Sequence, residues 1–346
     1  MHHVGIDLHK KHSQVCAIDE DGSVVLEKRI LTSGERLRQE LAGLASARVL
    51  VESSCESEWV ARVLEADGHE VIVADPSFSP MYVHAHRRAK TDKRDALVLA
   101  QACRLGAYRK AHRAGDASRH LRARLAAREA LVLSRARMVT LTRALIRRRG
   151  IRLALGSTER FVDRVRDVEL PEDLGLEIAP LLTVLETITE QIEQCDEELE
   201  KMAEAHEAAR LLMTMPCVAS VTAATFASVI DDPTRFRDGH QVAAYLGLVP
   251  SERSSGERRR LGGITKAGNG RVRSLLVQAA LRIRRCKPAS MQDLVAWSEA
   301  IAARRGKKVA TVALARRLAG VLWAMMSRRT PYQPLAVRRP SPPTAP

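Results

Sequence analysis

The chain has 346 residues, with 56 Lys and Arg against 41 Asp and Glu, a formal net charge of +15, and 45% hydrophobic residues. That length accommodates two or three domains with cores of their own, and the composition excludes a mainly disordered protein. The charge calls for a polyanionic partner, nucleic acid first, while 3% aromatic content argues against a surface built from many stacked bases and leaves groove and phosphate contacts. The six cysteines, Cys16, Cys55, Cys103, Cys195, Cys217 and Cys286, are scattered without a C-x-x-C pair. They read as reduced core thiols rather than a zinc site or a disulfide framework. No apolar run reaches about 18 residues and no signal-peptide core opens the chain, so a cytoplasmic protein is expected, with neither membrane insertion nor export.

Residues 1–110 alternate strand-like and helix-like segments. "VGIDLHK", "SQVCAID" and "SVVLEKRI" are short β-rich runs, the last two separated by the Asp21-Gly22 turn signal, which predicts consecutive antiparallel strands. A helix follows around Glu35 to Leu44, then the strand "ARVLVES", the helix "SEWVARVLEAD", the strand "HEVIVAD" and a helix starting near Thr91. Three strands followed by alternating helix and strand make an α/β domain, the order expected of a ribonuclease-H-like fold.

Residues 111–207 change to long helices. Leu181, Leu185, Ile188, Ile192, Cys195, Leu199 and Met202 recur at spacings of four and three, a coiled-coil seam of about three heptads. Leu131, Met138 and Leu145 lie seven apart with Leu141 between them and supply a partner helix, within one chain or between two. Positions 104–149 hold 14 Lys or Arg and only two acids, Asp116 and Glu129. A run this one-signed points to nucleic-acid contact as well as to a solvated face.

Residues 208–330 open with "LLMTMPCVASVTAATFASVI", two helices about a turn at Pro216. It resembles a helix-hairpin-helix unit in which Cys217 and Ala219 replace the usual turn glycines. A Gly-rich loop between helices follows, "YLGLVPSERSSGERRRLGGITKAGNGRVRSLLVQAALRIRR", with ten basic residues from Arg253 to Arg285. Residues 331–346 end in "RRPSPPTAP", expected to be a disordered tail.

Four acids hold the chemistry. Asp7 ends the first strand between Ile6 and Leu8, Glu52 ends the strand "VLVES", and Asp92 and Asp95 lie three apart on one face of the helix that Thr91 caps. A carboxylate in so apolar a setting is costly without a cation or donor. If the two strands are neighbours and the helix crosses their ends, the four carboxylates converge and repel one another unless a hard divalent cation, Mg²⁺ or Mn²⁺, is bound. Such ions can activate a nucleophile and stabilise the leaving oxygen of a phosphodiester. Singly, each acid reads as a cap or a surface charge; the ordered set reads as a metal site. His84 and His86 read as exposed, and His9 and Lys10, following Asp7, are expected near the scissile phosphate without an acid or base role.

At this point the resemblance is close. "GIDLHKKHSQVCAIDEDGSVV", "VES" with "SEWVARVLEADGHEVIVADP", and "RRAKTDKRDALVLAQACRLGAY" resemble the N-terminal domain of the DEDD transposases of the insertion sequence 110 family. "YLGLVPSERSSGERRRLGGITKAGNGRVRSLLVQAA" resembles the second hallmark domain, shared with the insertion sequence 116 and 902 groups. The resemblance implies a RuvC-like catalytic domain over 1–110, a helical coiled-coil spacer over 111–207 and a mostly helical C-terminal transposase domain over 208–330. It makes Asp7, Glu52, Asp92 and Asp95 the metal ligands and Ser255 the nucleophile, with Ser254 adjacent. It further implies a recombinase that mobilises its own insertion sequence through a phosphoserine intermediate, guided by an element-encoded structured RNA and working as a dimer or tetramer.

A serine nucleophile stores the phosphodiester in a protein link where water would discard it, and it needs an activating neighbour, which the metal site can supply. Arg258, Arg259, Arg260, Lys266, Arg271 and Arg273 are the expected phosphate clamps, and the loop glycines let backbone approach the strand. Two rivals stand against this. A sugar kinase or actin-like ATPase also opens with a "GID" strand, but here "LHKKH" replaces its phosphate loop. A Holliday-junction-type nuclease using water would explain the acids and the charge, though not the "SSG" loop.

Overall fold

The computed structural model describes residues 1–44, 46–82, 91–252 and 261–334. Their contacts divide the chain into two compact units, Met1–Arg113 and the chain from Ala114 onward.

The first unit is built on β1 (His3–Asp7), β2 (His12–Ile18), β3 (Val24–Leu31), β4 (Arg48–Glu52) and β5 (Glu70–Ala74), in sheet order β3-β2-β1-β4-β5. The first three strands pair antiparallel, while β1, β4 and β5 run parallel. Helices α1 (Gly34–Leu41) and α2 (Ser57–Ala66) cover one face of this sheet, and α3 (Asp92–Leu105) covers the other. The period of two explains the division. Val4 and Ile6 of β1, with Val49 and Val51 of β4, pack with Leu37, Leu41 and Leu64 under α1 and α2. Leu50 joins Leu99 and Cys103 of α3.

Gly5 therefore looks at α3. A Cβ there would sit 2.2 Å from the Ala96 carbonyl oxygen and 2.3 Å from the Ala100 amide nitrogen, so the strand and helix backbones meet with no room for a methyl group. By the same alternation Asp7 and Glu52 turn to the α3 side. Their positions lie one step beyond the Ile6–Val51 pair of the β1–β4 ladder.

The second unit opens with α4 (Asp116–Arg148), α5 (Phe161–Arg166) and α6 (Glu172–Ala205). Ion pairs Arg124–Glu198, Arg128–Asp196 and Arg149–Asp173 run in opposite numerical senses, which makes α4 and α6 an antiparallel hairpin. The α6 seam is half as wide as its heptad pattern: Leu185, Ile192 and Leu199 are buried, while Leu181, Ile188, Cys195 and Met202 are half-buried. On α4 the inward positions are Val139, Thr142 and Ile146, and Leu141 is 50% exposed. Met138 and Leu145 of the leucine spacing pack against this face half-buried, while Leu141 points away and polar groups share the buried positions. The Thr142 hydroxyl donates to the Met138 carbonyl, and buried Arg135 pairs with Glu159.

The same hairpin merges into the C-terminal core. Leu121, Leu125, Leu199 and Ala203 pack with α7 (Glu207–Met213), α8 (Ser220–Ile230), α9 (Gly239–Tyr245), α10 (Gly270–Cys286), α11 (Gln292–Arg305) and α12 (Lys307–Arg328). In α12 an 18-residue stretch is apolar enough on average to cross a membrane by length and composition, although Arg316 and Arg317 interrupt it. Its Leu314, Leu318 and Leu322 are fully buried in this core.

Between α7 and α8, Cys217 takes φ +66°, the left-handed conformation that a glycine would occupy in such a turn. A side chain there costs about 1–2 kcal/mol, offset in part by the packing of Cys217 on the core. We expect Cys217→Gly to raise stability by up to about 1 kcal/mol and Cys217→Val to lower it, as measured by chemical denaturation.

A short ladder, β6 (Pro250–Glu252) with β7 (Leu261–Ile264), flanks residues 253–260. Its base is an interlock of two turns at Gly247 (φ +68°) and Gly268 (φ +76°), where a Cβ on Gly268 would lie 1.9 Å from the Tyr245 carbonyl oxygen. The Arg273 guanidinium ties the turns together, donating to the carbonyls of Leu246, Ala267 and Gly268.

Candidate metal centre

Three pieces of chain bring the acids together. Parallel pairing sets Asp7 beside Glu52 at the ends of β1 and β4. The close approach at Gly5 lays α3 across β1, one turn after Asp92. Thr91 starts that helix by accepting from the Arg94 amide, which puts Asp92 and Asp95 in its first turn, where the helix N-terminus favours negative charge.

His9 completes the cluster. Its Nε2 lies 3.1 Å from Asp7 Oδ2 and 3.8 Å from Asp92 Oδ1, and one ligand atom from each of the three residues falls within 4.8 Å of the others. The Thr32 hydroxyl donates to the His9 carbonyl at 2.8 Å and fixes this turn. Glu52 accepts from the Tyr82 hydroxyl at 2.6 Å; burial and this bond raise the Tyr82 pKa.

Asp7 is the electrostatic centre. Burial first, and then the carboxylates of Asp95, Asp92 and Glu52, raise its pKa, while His9 opposes them. Its side chain is 18% exposed. A half-sunken carboxylate facing three others is destabilised as an anion, and a divalent cation removes that cost. Oxygen donors on three sides with one imidazole fit Mg²⁺ or Mn²⁺, not a soft thiolate-preferring ion.

The sign of the pH effect follows. A carboxyl whose folded pKa is raised binds its proton more tightly when folded, so the metal-free fold loses stability as pH rises from the ordinary Asp value through the raised one. In chelator, Asp7→Asn should match wild type at low pH and melt above it at neutral pH. Mg²⁺ should erase that advantage by stabilising wild type only. Thermal melts from pH 4 to 7 read both.

The remaining sequence candidates divide. Ser254, Ser255, Arg258, Arg259 and Arg260 lie outside the described residues, as do His84 and His86. Lys266 is exposed. Arg271 pairs with Glu129 at 2.6 Å, and Arg273 serves the carbonyls named above. Four cations of the basic 104–149 run, Arg124, Arg128, Arg135 and Arg149, are likewise paired, with Glu198, Asp196, Glu159 and Asp173. Sequence reasoning placed His9 near the scissile phosphate from its position two residues after Asp7, without giving it a place among the acids. Tyr82 gave none, because its contact with Glu52 spans 30 residues.

Comparison with known proteins gives this geometry a family. A family described as "Transposase", of the DEDD type associated with IS110, matches residues 4–149, and "Transposase IS116/IS110/IS902 family" matches residues 209–296. A Sinorhizobium fredii protein with the transposase name y4qE is 34% identical over 293 residues, covering 76% of this chain and 71% of the relative. The chain belongs to the IS110/IS116/IS902 transposase family. The Coxiella burnetii "Transposase for insertion sequence element IS1111A" is 29% identical over 340 residues, covering 95% of this chain and 91% of the relative. The Yersinia enterocolitica "Transposase for insertion sequence element IS1328" is 27% identical over 333 residues, with 95% and 98% covered. The first family match contains Asp7, Glu52, Asp92 and Asp95, and the second contains Ser255.

Proposed function

We propose that the protein is a metal-dependent DNA recombinase that mobilises its own insertion sequence, cutting and rejoining strands through a phosphoserine at Ser255. The observation that carries this reading is the convergence of Asp7, Glu52, Asp92 and Asp95 on one end of β1, β4 and α3, with the Asp7 pKa raised by burial first and then by the other three carboxylates. The strand order β3-β2-β1-β4-β5 supports a RuvC-like domain around them.

Asp7, Glu52, Asp92 and Asp95 would hold the divalent cation, with His9 beside Asp7 and Asp92. When bound, Mg²⁺ or Mn²⁺ supplies charge stabilisation at the reacting phosphodiester and lowers the proton affinity of a nearby hydroxyl. Tyr82 holds Glu52 in orientation through its hydroxyl. The Ser255 oxygen attacks phosphorus and gives up its proton; the Oγ–P bond forms as one P–O bond to the sugar breaks, and the departing sugar oxygen takes up a proton. Attack by a second strand's hydroxyl reverses each of these changes, so no outside energy source is needed.

Arg258, Arg259, Arg260 and Lys266 are the phosphate contacts of this reading, while Arg271 is paired with Glu129 and Arg273 holds the turn carbonyls. The acids and Ser255 belong to different units, so the reaction requires them to meet on DNA, within one chain or between copies in a dimer or tetramer. A structured RNA from the same element would supply sequence specificity by base pairing, in a cytoplasmic complex with element ends and target.

The test is covalent trapping. Purified protein, Mg²⁺, labelled DNA spanning the joined element ends and RNA from the element's flank are incubated and run on denaturing gels. We expect a protein–DNA adduct that Ser255→Ala and Asp95→Ala abolish and Ser254→Ala keeps. Metal-dependent cleavage without an adduct, surviving in Ser255→Ala, would leave a nuclease that uses water.

A further inference from the structure

The cations of the second unit fall into two populations. Arg124 and Arg128 of α4, and Arg149 just beyond it, are committed to acids of α6. Those at the end of α11 and along α12 are not: among the described residues, Arg304, Arg305, Lys308, Arg316, Arg317 and Arg328 have no carboxylate partner. Arg317 lies 4.7 Å over the Trp297 ring, and Arg316 shares a contact with His240. All six rim one groove of about 1370 Å³.

The groove has a second character. Leu248, Ile264, Val309, Val312 and Val321 make its floor apolar, and Val309 is 46% exposed. One wall is glycine, Gly262 and Gly263 of β7, so backbone rather than side chain faces the space. No acid lines it. Six like charges around one cavity repel one another, an arrangement that polyanion binding makes favourable.

An apolar floor beneath a cationic rim matches a polymer with charge along one edge and flat apolar faces along the other. Duplex nucleic acid presents the charge and hides the faces; an unpaired strand presents both. The aliphatic floor and the outer face of the Arg317 guanidinium would take base faces that the scarce aromatic residues cannot. From Lys308 to Arg328 the rim follows a helix about 30 Å long, enough for a strand of several nucleotides.

We propose that this groove binds an unpaired stretch of nucleic acid, phosphates on the α11–α12 rim and bases on the floor, and leads it to β6 and β7, which flank residues 253–260. The inference rests on the transposase reading for the purpose of that strand, though not for the chemistry of the groove.

Fluorescence anisotropy of the full-length protein with labelled dT12 and with a 12-base-pair duplex tests it. Arg305→Gln/Lys308→Gln should weaken dT12 binding at least tenfold and flatten its log Kd against log salt slope by about 1.4, at about 0.7 per contact on a single strand. Duplex binding should change less than threefold. Val309→Asn should weaken dT12 several-fold with the salt slope unchanged, and Lys308→Arg should retain binding. All are exposed positions, and melting curves check that the variants fold.

Equal loss of dT12 and duplex binding, or loss of neither, overturns the proposal. So does displacement of groove contacts by a peptide of residues 186–204, the acidic part of α6, with dT12 indifferent to the variants; that outcome assigns the groove to a second copy. Parallel cleavage assays separate the two readings. Cleavage by wild type with normal dT12 binding in the variants sinks the groove alone. Groove-dependent dT12 binding with no metal-dependent cleavage sinks the transposase reading alone.

Discussion

Gly5→Ala should leave a protein that is destabilised by about 3 kcal/mol or more and loses metal-dependent activity at least about 100-fold. The added methyl group would meet backbone, not a flexible side chain, at 2.2 Å and 2.3 Å. Overpacking a core costs about 1–3 kcal/mol when side chains can yield; here α3 itself must move off β1. That helix carries Asp92 and Asp95 in its first turn, and a misplacement of about 1 Å at reacting groups is worth about 100-fold. Leu64→Ala is the control. It removes a fully buried side chain from the α2 face of the same sheet, should cost about 2–5 kcal/mol, and should keep metal affinity in the fraction that folds. Thermal melts with and without Mg²⁺, alongside strand cleavage, distinguish loss of the fold from loss of the site.

Asp92→Asn should behave in the opposite way on stability. The Asp92 side chain is 58% exposed, so little packing depends on it, and it contributes to the raised pKa of Asp7. In chelator the variant should melt at or slightly above the wild-type temperature. Strand cleavage should fall by about 100–1000-fold, the scale of removing one electrostatic contributor to a transition state. A residue that held the fold together would lower both quantities, whereas one that holds the metal lowers only activity. Asp95→Asn should follow the same pattern, and Glu52→Gln should do so with a smaller change in cleavage if Tyr82 keeps the amide in place.

The α/β unit was the most legible part of the chain. Alternation in "VGIDL" and "VLVES" separates the two faces of the sheet, and Thr91 marks the start of α3, so the meeting of the four acids follows from strand and helix signals alone. What sequence could not supply was the reason α3 lies so close. A glycine in a strand signals a close approach without naming the neighbour, and here the neighbour is more than 90 residues away.

The helical region was legible in type but not in detail. The α6 heptads gave a seam, yet the inward face of α4 runs through Thr142 and Arg135, residues that no hydrophobic pattern selects. The run over 104–149 reads as a nucleic-acid surface, and the pairing of three of its arginines with Glu198, Asp196 and Asp173 of α6 follows a register that only the hairpin sets. The six cations around the α12 groove drew no notice because they are spaced along two helices instead of forming one run.

Calorimetric titration of Mn²⁺ into the full-length protein, wild type against Asp7→Asn and Asp92→Asn, most directly tests whether the four acids form the metal centre of a DNA-cutting enzyme. The expected result is saturable binding in wild type that both substitutions weaken at least about tenfold, with strand cleavage lost in the same order. Mn²⁺ binding that is unchanged in both variants, with cleavage intact, would contradict it.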